Sequence, residues 1–119
     1  VLIPGHTPGS IALWEKSRRF LISGDSVTNA TTFMFGEGRN LQAYLSSLRK
    51  LEAMADQLDV IYGSHGPVEV SVARIGELIE LCEQVQRGQL QGVPAERFAD
   101  NIREICWKSA AIYYPALSK

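Results

Sequence analysis

Three short apolar runs of this chain each end in a glycine-containing turn, and each turn carries a side chain that can ligate a metal. The turns PGHTPGS, LISGDS and IYGSHGP contain His6, Asp25 and His65. Ends of strands that run in the same direction meet at one edge of a sheet, where loops carry function on a rigid support. We therefore expect the three side chains to lie at one sheet edge. Imidazole and carboxylate groups suit zinc, and also iron or manganese.

The same residues permit a plainer interpretation. A single histidine in a turn is commonly a surface or capping residue, because turns are polar. Asp25, which follows a glycine, can cap a turn through its side-chain oxygen. Spacing alone leaves both interpretations open.

The pattern of apolar residues predicts an α/β chain in which short strands alternate with two amphipathic helices. In the first helix leucines recur at steps of three and four residues after Asn40, the predicted N-cap. The second helix is expected to run from an N-cap at Ser71 to Gly88, and residues 27–39 are a predicted loop. The predicted strands cover residues 1–3, 10–15, 20–23, 59–62, 102–107 and 110–114, and the predicted helices cover 41–58, 71–88 and a short stretch near 95–100.

Two features are interpreted as packing features. Cys82 and Cys106 form no CxxC or zinc-finger spacing, and both are expected to be small buried hydrophobic residues. In the predicted loop, the apolar triplet Phe33, Met34 and Phe35 is expected to pin the loop to the core. Lining of a pocket is the alternative for this triplet.

Composition excludes several classes of function. The chain has 119 residues, enough for one domain, and its 12 Lys+Arg against 13 Asp+Glu give a net charge of −1. No global field therefore favours nucleic acid or an anionic membrane as a partner. No apolar run approaches the roughly 20 residues needed to cross a bilayer, and no signal peptide is visible. The cysteine usage predicts a reduced, cytoplasmic location.

The three motifs, in this order and with a helix between the second and the third, resemble the second half of the metallo-β-lactamase superfamily. The resemblance implies that His6 ligates a first zinc ion, that Asp25 bridges both zinc ions and that His65 ligates the second. It further implies that a metal-bound hydroxide attacks an ester, thioester, amide or phosphoester of a small-molecule substrate. No residue is assigned a catalytic role beyond these three predicted ligands.

The fold implied by this resemblance is one half of a four-layer αββα sandwich. Residues 1–119 are expected to form the C-terminal half, a partial domain with one mixed β-sheet backed by helices. The His-x-His-x-Asp-His motif of the family does not occur in the sequence. His6 and Asp25 would then hold one ion, and Asp25 and His65 the other. Catalytic zinc sites normally retain three protein ligands, so we expect weak or absent zinc binding and no activity of this chain alone.

Other functions stay open on the sequence. A half domain would expose an apolar sheet face, and such faces usually recruit a partner; we expect two copies to associate through it. A second chain with the absent motif could complete a split enzyme, or the chain could be a non-catalytic interaction module. A two-histidine, one-carboxylate iron site would require His6, Asp25 and His65 to converge on one ion.

Overall fold

The residues that the structure describes, 1–95, 97–98 and 101–115, form two α-helices and eight short strands in a computed structural model. The helices are α1 (Leu41–Glu52) and α2 (Ala73–Gln86), and a 3-10 turn at Ala55–Gln57 follows α1. The strands are β1 (Leu13–Glu15), β2 (Phe20–Gly24), β3 (Thr32–Phe33), β4 (Val60–Gly63), β5 (Glu69–Val70), β6 (Val93–Pro94), β7 (Ile102–Trp107) and β8 (Ala110–Pro115). The predicted α/β class is confirmed.

The first sheet has the strand order β1-β2-β4-β5 and creates the edge at which the predicted site residues lie. β1 and β2 form the expected antiparallel hairpin, whereas β2 and β4 run parallel, with Gly24 opposite Gly63. Parallel pairing brings the C-terminal ends of β2 and β4 side by side, so the turns that follow them share one edge. An antiparallel bridge between Leu2 and Ile11 closes the turn that contains His6.

The C-terminal strands form a second sheet of order β3-β8-β7-β6. The predicted hairpin of residues 102–107 and 110–114 is confirmed as β7 and β8, and β3 pairs with β8 in parallel, with Thr32 opposite Ile112. The expectation of one sheet is therefore corrected to two sheets, each of them mixed. The predicted hairpin of β7 and β8 pairs with β3 and β6 and with no strand of the first sheet. β3 has only two residues, within the stretch predicted as a loop. A strand of that length has no periodicity for the sequence to reveal.

Helix α1 buries its leucine stripe in the core. Asn40 caps it as predicted, because the side-chain oxygen of Asn40 accepts a hydrogen bond of 2.9 Å from the backbone N–H of Ala43. The helix ends at Glu52 rather than at residue 58, since the chain tightens into the 3-10 turn. The buried residues of α1 are Leu41, Tyr44, Leu45, Ser47, Leu48 and Leu51.

Helix α2 packs beside α1 and is slightly shorter than predicted. Its N-cap is Val72 rather than Ser71, although the Ser71 hydroxyl still accepts a hydrogen bond of 3.2 Å from the N–H of Ala73. Gly88 follows the C-cap Arg87 with a φ of +71°, as expected for a glycine at that end of a helix. In the part of the chain that the structure describes, neither helix is long and apolar enough to cross a membrane.

Two predictions for the C-terminal part have different outcomes. The short helix expected near residues 95–100 includes Glu96, Ala99 and Asp100, which lie outside the described residues. The cysteine prediction is right for Cys82, which is fully buried in α2, and wrong for Cys106, which is exposed on β7. Successive residues of a strand point to opposite faces, and the neighbour of Cys106, Ile105, occupies the buried face.

One face of the first sheet carries exposed apolar side chains. Leu13 and Ile22 pair across β1 and β2 and are 57% and 42% exposed, and Leu2 and Ile11 pair across the preceding bridge. Ile11 and Leu13 are two residues apart and therefore point to the same side. We call these four residues, Leu2, Ile11, Leu13 and Ile22, the outer apolar face.

The two cysteines are predicted to differ in reactivity towards a thiol reagent such as iodoacetamide. Burial, and secondarily Glu83, raises the pKa of Cys82 to about 12, whereas Cys106 is accessible and its pKa is raised less, by partial burial and by Glu104. The thiolate is the reacting form. Cys106 should therefore react in the native state at a rate that increases with pH, and Cys82 only on unfolding.

Mass spectrometry of the alkylated protein measures both rates, with Cys106→Ser as the control that removes the fast phase. Rapid native labelling of Cys82 would contradict the described packing of α2.

Candidate metal centre

The structure brings together the three side chains that the sequence singled out. Nε2 of His6 lies 3.5 Å from Oδ2 of Asp25, and Nε2 of His65 lies 2.9 Å from Oδ1 of the same carboxylate. Asp25 therefore stands between two imidazoles and presents a different oxygen to each. We call this arrangement of His6, Asp25 and His65 the row, because a different carboxylate oxygen contacts each imidazole.

The two histidines differ in exposure and in what holds them. The side chain of His6 is only 11% exposed, whereas that of His65 is 64% exposed. Nδ1 of His6 lies 2.9 Å from the backbone carbonyl oxygen of Phe33. Because a carbonyl oxygen only accepts, Nδ1 must carry a hydrogen and donate it. In the neutral ring Nε2 then holds a lone pair, which faces Asp25.

The turn that carries His6 is fixed against helix α1. Gly5 has a φ of +140°, and a Cβ at this position would overlap the backbone of Tyr44. The Ser47 hydroxyl donates to the carbonyl of Pro4 at 2.7 Å, and the N–H of Asn40 donates to the carbonyl of Gly5 at 2.9 Å. Only glycine permits so close an approach of the turn to the helix.

The turn that carries Asp25 is fixed by the same helix. The Tyr44 hydroxyl donates a hydrogen bond of 2.5 Å to the carbonyl of Ser26, the residue after Asp25. Tyr44 is fully buried, and burial raises the pKa of its hydroxyl far above the ordinary value. The hydroxyl therefore stays protonated and remains a donor. Inside the turn, the Ser23 hydroxyl donates to the carbonyl of Val27 at 2.7 Å.

The turn that carries His65 is held by an asparagine from the loop before β3. Nδ2 of Asn29 donates to the carbonyls of Pro67 and Glu69, at 2.8 Å each. The Arg74 guanidinium of α2 donates to Oδ1 of Asn29 at 3.0 Å and so fixes the orientation of the amide. This support holds the backbone of the turn, while the His65 ring itself extends into solvent.

A pocket of about 480 Å³ opens beside the three residues. Its wall contains Phe33, Tyr113, Arg39 and Arg97. The expectation that the triplet 33–35 pins its loop to the core is right for Met34, which is 2% exposed. Phe33 instead lines the pocket. The remaining residues that line the pocket are His6, Asp25, Thr28, Ala30, Thr31, Thr32 and His65.

Several residues of the site were missed by the sequence analysis. The role of Tyr44 could have been predicted from the sequence, since a tyrosine on the buried stripe of a helix needs a hydrogen-bond partner for its hydroxyl. The sequence gives no indication that Asn29, Arg39 and Arg97 belong to the site, because isolated polar residues are common in loops. Their importance comes from contacts with residues distant in sequence. Asn29 and Pro67, for example, are 38 positions apart.

The donor set fits a metal only in part. Among the described residues, no group of three or more His, Cys, Asp or Glu side chains could by itself hold an ion. The row supplies two pairs of metal donors. One pair is Nε2 of His6 and Oδ2 of Asp25, and the other is Nε2 of His65 and Oδ1 of Asp25. The iron alternative requires all three side chains to converge on one ion, and the described residues contain no such group.

Comparison with known proteins gives one family and one fold. A family model of the metallo-β-lactamase superfamily matches residues 1–65, more than half of the chain. A double mutant of the sec-alkyl sulfatase PisA1 is similar in structure, with a TM-score of 0.64 and 14% sequence identity, over 74% of this chain. The metallo-beta-lactamase family protein TTHA1429 from Thermus thermophilus has a TM-score of 0.58 and 22% identity, also over 74%. This chain spans 15% of the first protein's length and 31% of the second's.

Replacing Gly5 by alanine is predicted to disturb both the fold and the site. The positive φ and the overlap with Tyr44 must displace the turn, and we expect the free energy of unfolding to fall by at least about 2 kcal/mol. Urea denaturation measures this loss.

Gly9→Ala is the matched control, because nothing lies within 4 Å of a Cβ at Gly9 in the same turn. It should change the free energy of unfolding by less than about 0.5 kcal/mol. Equal stability of the two variants would show that the turn does not depend on its contact with α1.

Proposed function

This chain belongs to the metallo-β-lactamase superfamily, and on that premise we propose that it supplies half of the metal ligands of a metal-dependent hydrolase. His6 and Asp25 ligate one zinc ion, and Asp25 and His65 ligate a second. The substrate is a small molecule with an ester, thioester, amide or phosphoester bond.

The contact between His6 and Asp25 is the observation that carries this proposal. The Phe33 carbonyl requires a hydrogen on Nδ1 of His6, so Nε2 of the neutral ring is an acceptor. It faces another acceptor, Oδ2 of Asp25, at 3.5 Å. Both atoms can give an electron pair to a cation that lies between them. With zinc–donor distances of about 2.0–2.1 Å, two donors on a tetrahedral ion lie roughly 3.4 Å apart, which is close to the observed separation.

Zinc, when bound, lowers the pKa of a coordinated water to about 7 and polarises the bond to be cleaved. The side chains of this chain have separate tasks around it. The Phe33 carbonyl orients His6, a contact of the kind that raises the basicity of a ligating ring and fixes its tautomer. Asp25 supplies negative charge to both positions, and Tyr44 holds its turn through Ser26. The exposed ring of His65 supplies the imidazole ligand at the solvent side of Asp25.

Two ligands for each ion fall short of the three that catalytic zinc sites retain. We propose that the further ligands belong to a polypeptide segment outside these 119 residues, on the same chain or on another one. The 119 residues alone are then a weak zinc binder without hydrolytic activity.

Zinc titration of the ¹⁵N-labelled protein, followed by the ring signals of its two histidines, tests the proposal. Zinc should shift the Nε2 signals of both rings. Asp25→Asn should weaken the affinity by at least about tenfold, because it removes the carboxylate shared by both positions. Asp59→Asn is the matched control, since this exposed carboxylate pairs with Arg19 elsewhere on the surface. It should leave the affinity unchanged.

Two results would overturn the proposal. One is a ring of His6 that carries hydrogens on both nitrogens and does not respond to zinc, because a proton then bridges it to Asp25. The other is equal zinc affinity of the Asp25→Asn and Asp59→Asn variants, because zinc would then bind the histidines without the shared carboxylate.

A second function, self-association, is favoured by the outer apolar face. Four large apolar side chains are exposed on one side of the first sheet, Leu2, Ile11, Leu13 and Ile22. Burying such a patch against a second copy removes apolar surface from water, which is the main driving force of association. We propose that two copies of this chain pack through this face.

Light scattering coupled to gel filtration measures the mass in solution. The unmodified chain should be a dimer, and Leu13→Lys combined with Ile22→Lys should make it a monomer. Val68→Lys is the control, because Val68 is 59% exposed but lies outside the outer apolar face, and this variant should stay dimeric. A monomeric unmodified chain would refute the association.

A further inference from the structure

The wall of the pocket beside Asp25 carries two arginines for which the proposed metal chemistry has no use. Arg39 and Arg97 both line the pocket. Among the residues that the structure describes, neither forms an ion pair, whereas Arg19, Arg49 and Lys108 do.

Arg39 is held so that part of its guanidinium stays available. Its Nε donates to the Phe33 carbonyl at 3.3 Å, the same oxygen that accepts from His6. This contact fixes the plane of the group next to the metal ligand. Among the described residues, the terminal nitrogens of Arg39 have no hydrogen-bond partner, so that two pairs of N–H donors remain for a ligand.

Arg97 lies on an aromatic surface. Its guanidinium carbon is 4.8 Å from the ring centre of Phe98 and 5.9 Å from that of Tyr113. Stacking of this kind holds the charge in place and leaves the N–H groups at the edge of the guanidinium free to bind. Tyr113 and Phe33, whose ring centres are 5.2 Å apart, continue the apolar wall into the pocket.

Within the part of the chain that the structure describes, neither Asp25 nor Glu104 forms an ion pair with Arg39 or Arg97. Asp25 faces the two imidazoles, and Glu104 accepts a hydrogen bond of 2.6 Å from the Thr31 hydroxyl. The chain as a whole has a net charge of −1, so the positive charge of the wall is a local property. A guanidinium is suited to bind carboxylate, sulfate or phosphate groups with two parallel hydrogen bonds.

We propose that Arg39 and Arg97 bind an oxyanion group of the substrate while Phe33 and Tyr113 contact its apolar part. The substrate class is thus an anionic molecule with an apolar, preferably aromatic, body. This inference rests on the proposed function, because only an enzyme has a substrate. The pocket and its charge do not depend on a bound metal.

A pair of matched probes tests the proposal in metal-free buffer with EDTA. 2-Naphthoate carries a carboxylate on an aromatic body, and 2-naphthamide has the same body without the charge. NMR titration of the full chain should give at least about tenfold tighter binding of the naphthoate, the difference expected for one charge-assisted hydrogen-bonded pair. Added salt should weaken naphthoate binding and leave naphthamide binding unchanged.

Variants assign the effect to the two arginines. Arg39→Gln and Arg97→Gln should each weaken naphthoate binding by about tenfold and leave naphthamide binding as it was. Arg39→Lys keeps the charge but not the fork of donors, and it should lie between the unmodified chain and Arg39→Gln. Arg18→Gln, in the turn between β1 and β2, is the control and should change neither affinity.

Equal affinities for the two probes, or the same naphthoate affinity in the Arg39, Arg97 and Arg18 variants, would overturn the inference. The histidine spectra show whether each variant keeps the native turn, so that a misfolded variant is recognised. The zinc titration is independent of this experiment. Naphthoate binding without zinc binding would refute the metal proposal alone, and zinc binding without discrimination between the probes would refute the anion site alone.

Discussion

The contact of Tyr44 with the first two turns is the constraint on which the site depends. Its backbone lies against Gly5, where no Cβ fits, and its hydroxyl donates to Ser26 at 2.5 Å. One buried residue of α1 thereby sets the positions of the turns that carry His6 and Asp25. Loss of the hydrogen bond would leave a buried carbonyl without its partner, at a cost of about 1–3 kcal/mol. The geometry of the site is therefore coupled to the stability of the core.

The Phe33 carbonyl has a comparable role at the other side of the site. It belongs to β3 of the second sheet, yet it accepts hydrogen bonds from His6 of the first turn and from Arg39. The second sheet thus contributes to the site without providing a ligand, because it fixes the tautomer of His6 and forms the pocket wall. Among the described residues, no backbone carbonyl fixes the His65 ring in this way, and His65 is the most exposed of the three side chains.

The sequence predicted the elements whose signals are local. Asn40 caps α1 through a bond to a residue three positions away, and the glycine turns after apolar strands revealed His6, Asp25 and His65. Features that depend on distant pairing were not predictable. β3 is a strand only because β8 lies beside it, and Arg39 belongs to the site only because Phe33 turns its carbonyl towards it.

The sequence by itself determined the α/β class, the two helices and the three turns with side chains of a type that can ligate a metal, because each follows from residue type and spacing within a few positions. Only the tertiary structure decided that the strands form two sheets, that Cys106 is exposed and that Asp25 presents one oxygen to each histidine. These outcomes depend on which segments pair and which face each strand buries. Burial and pairing are properties of the assembled core, and they arise from contacts between residues far apart in the chain.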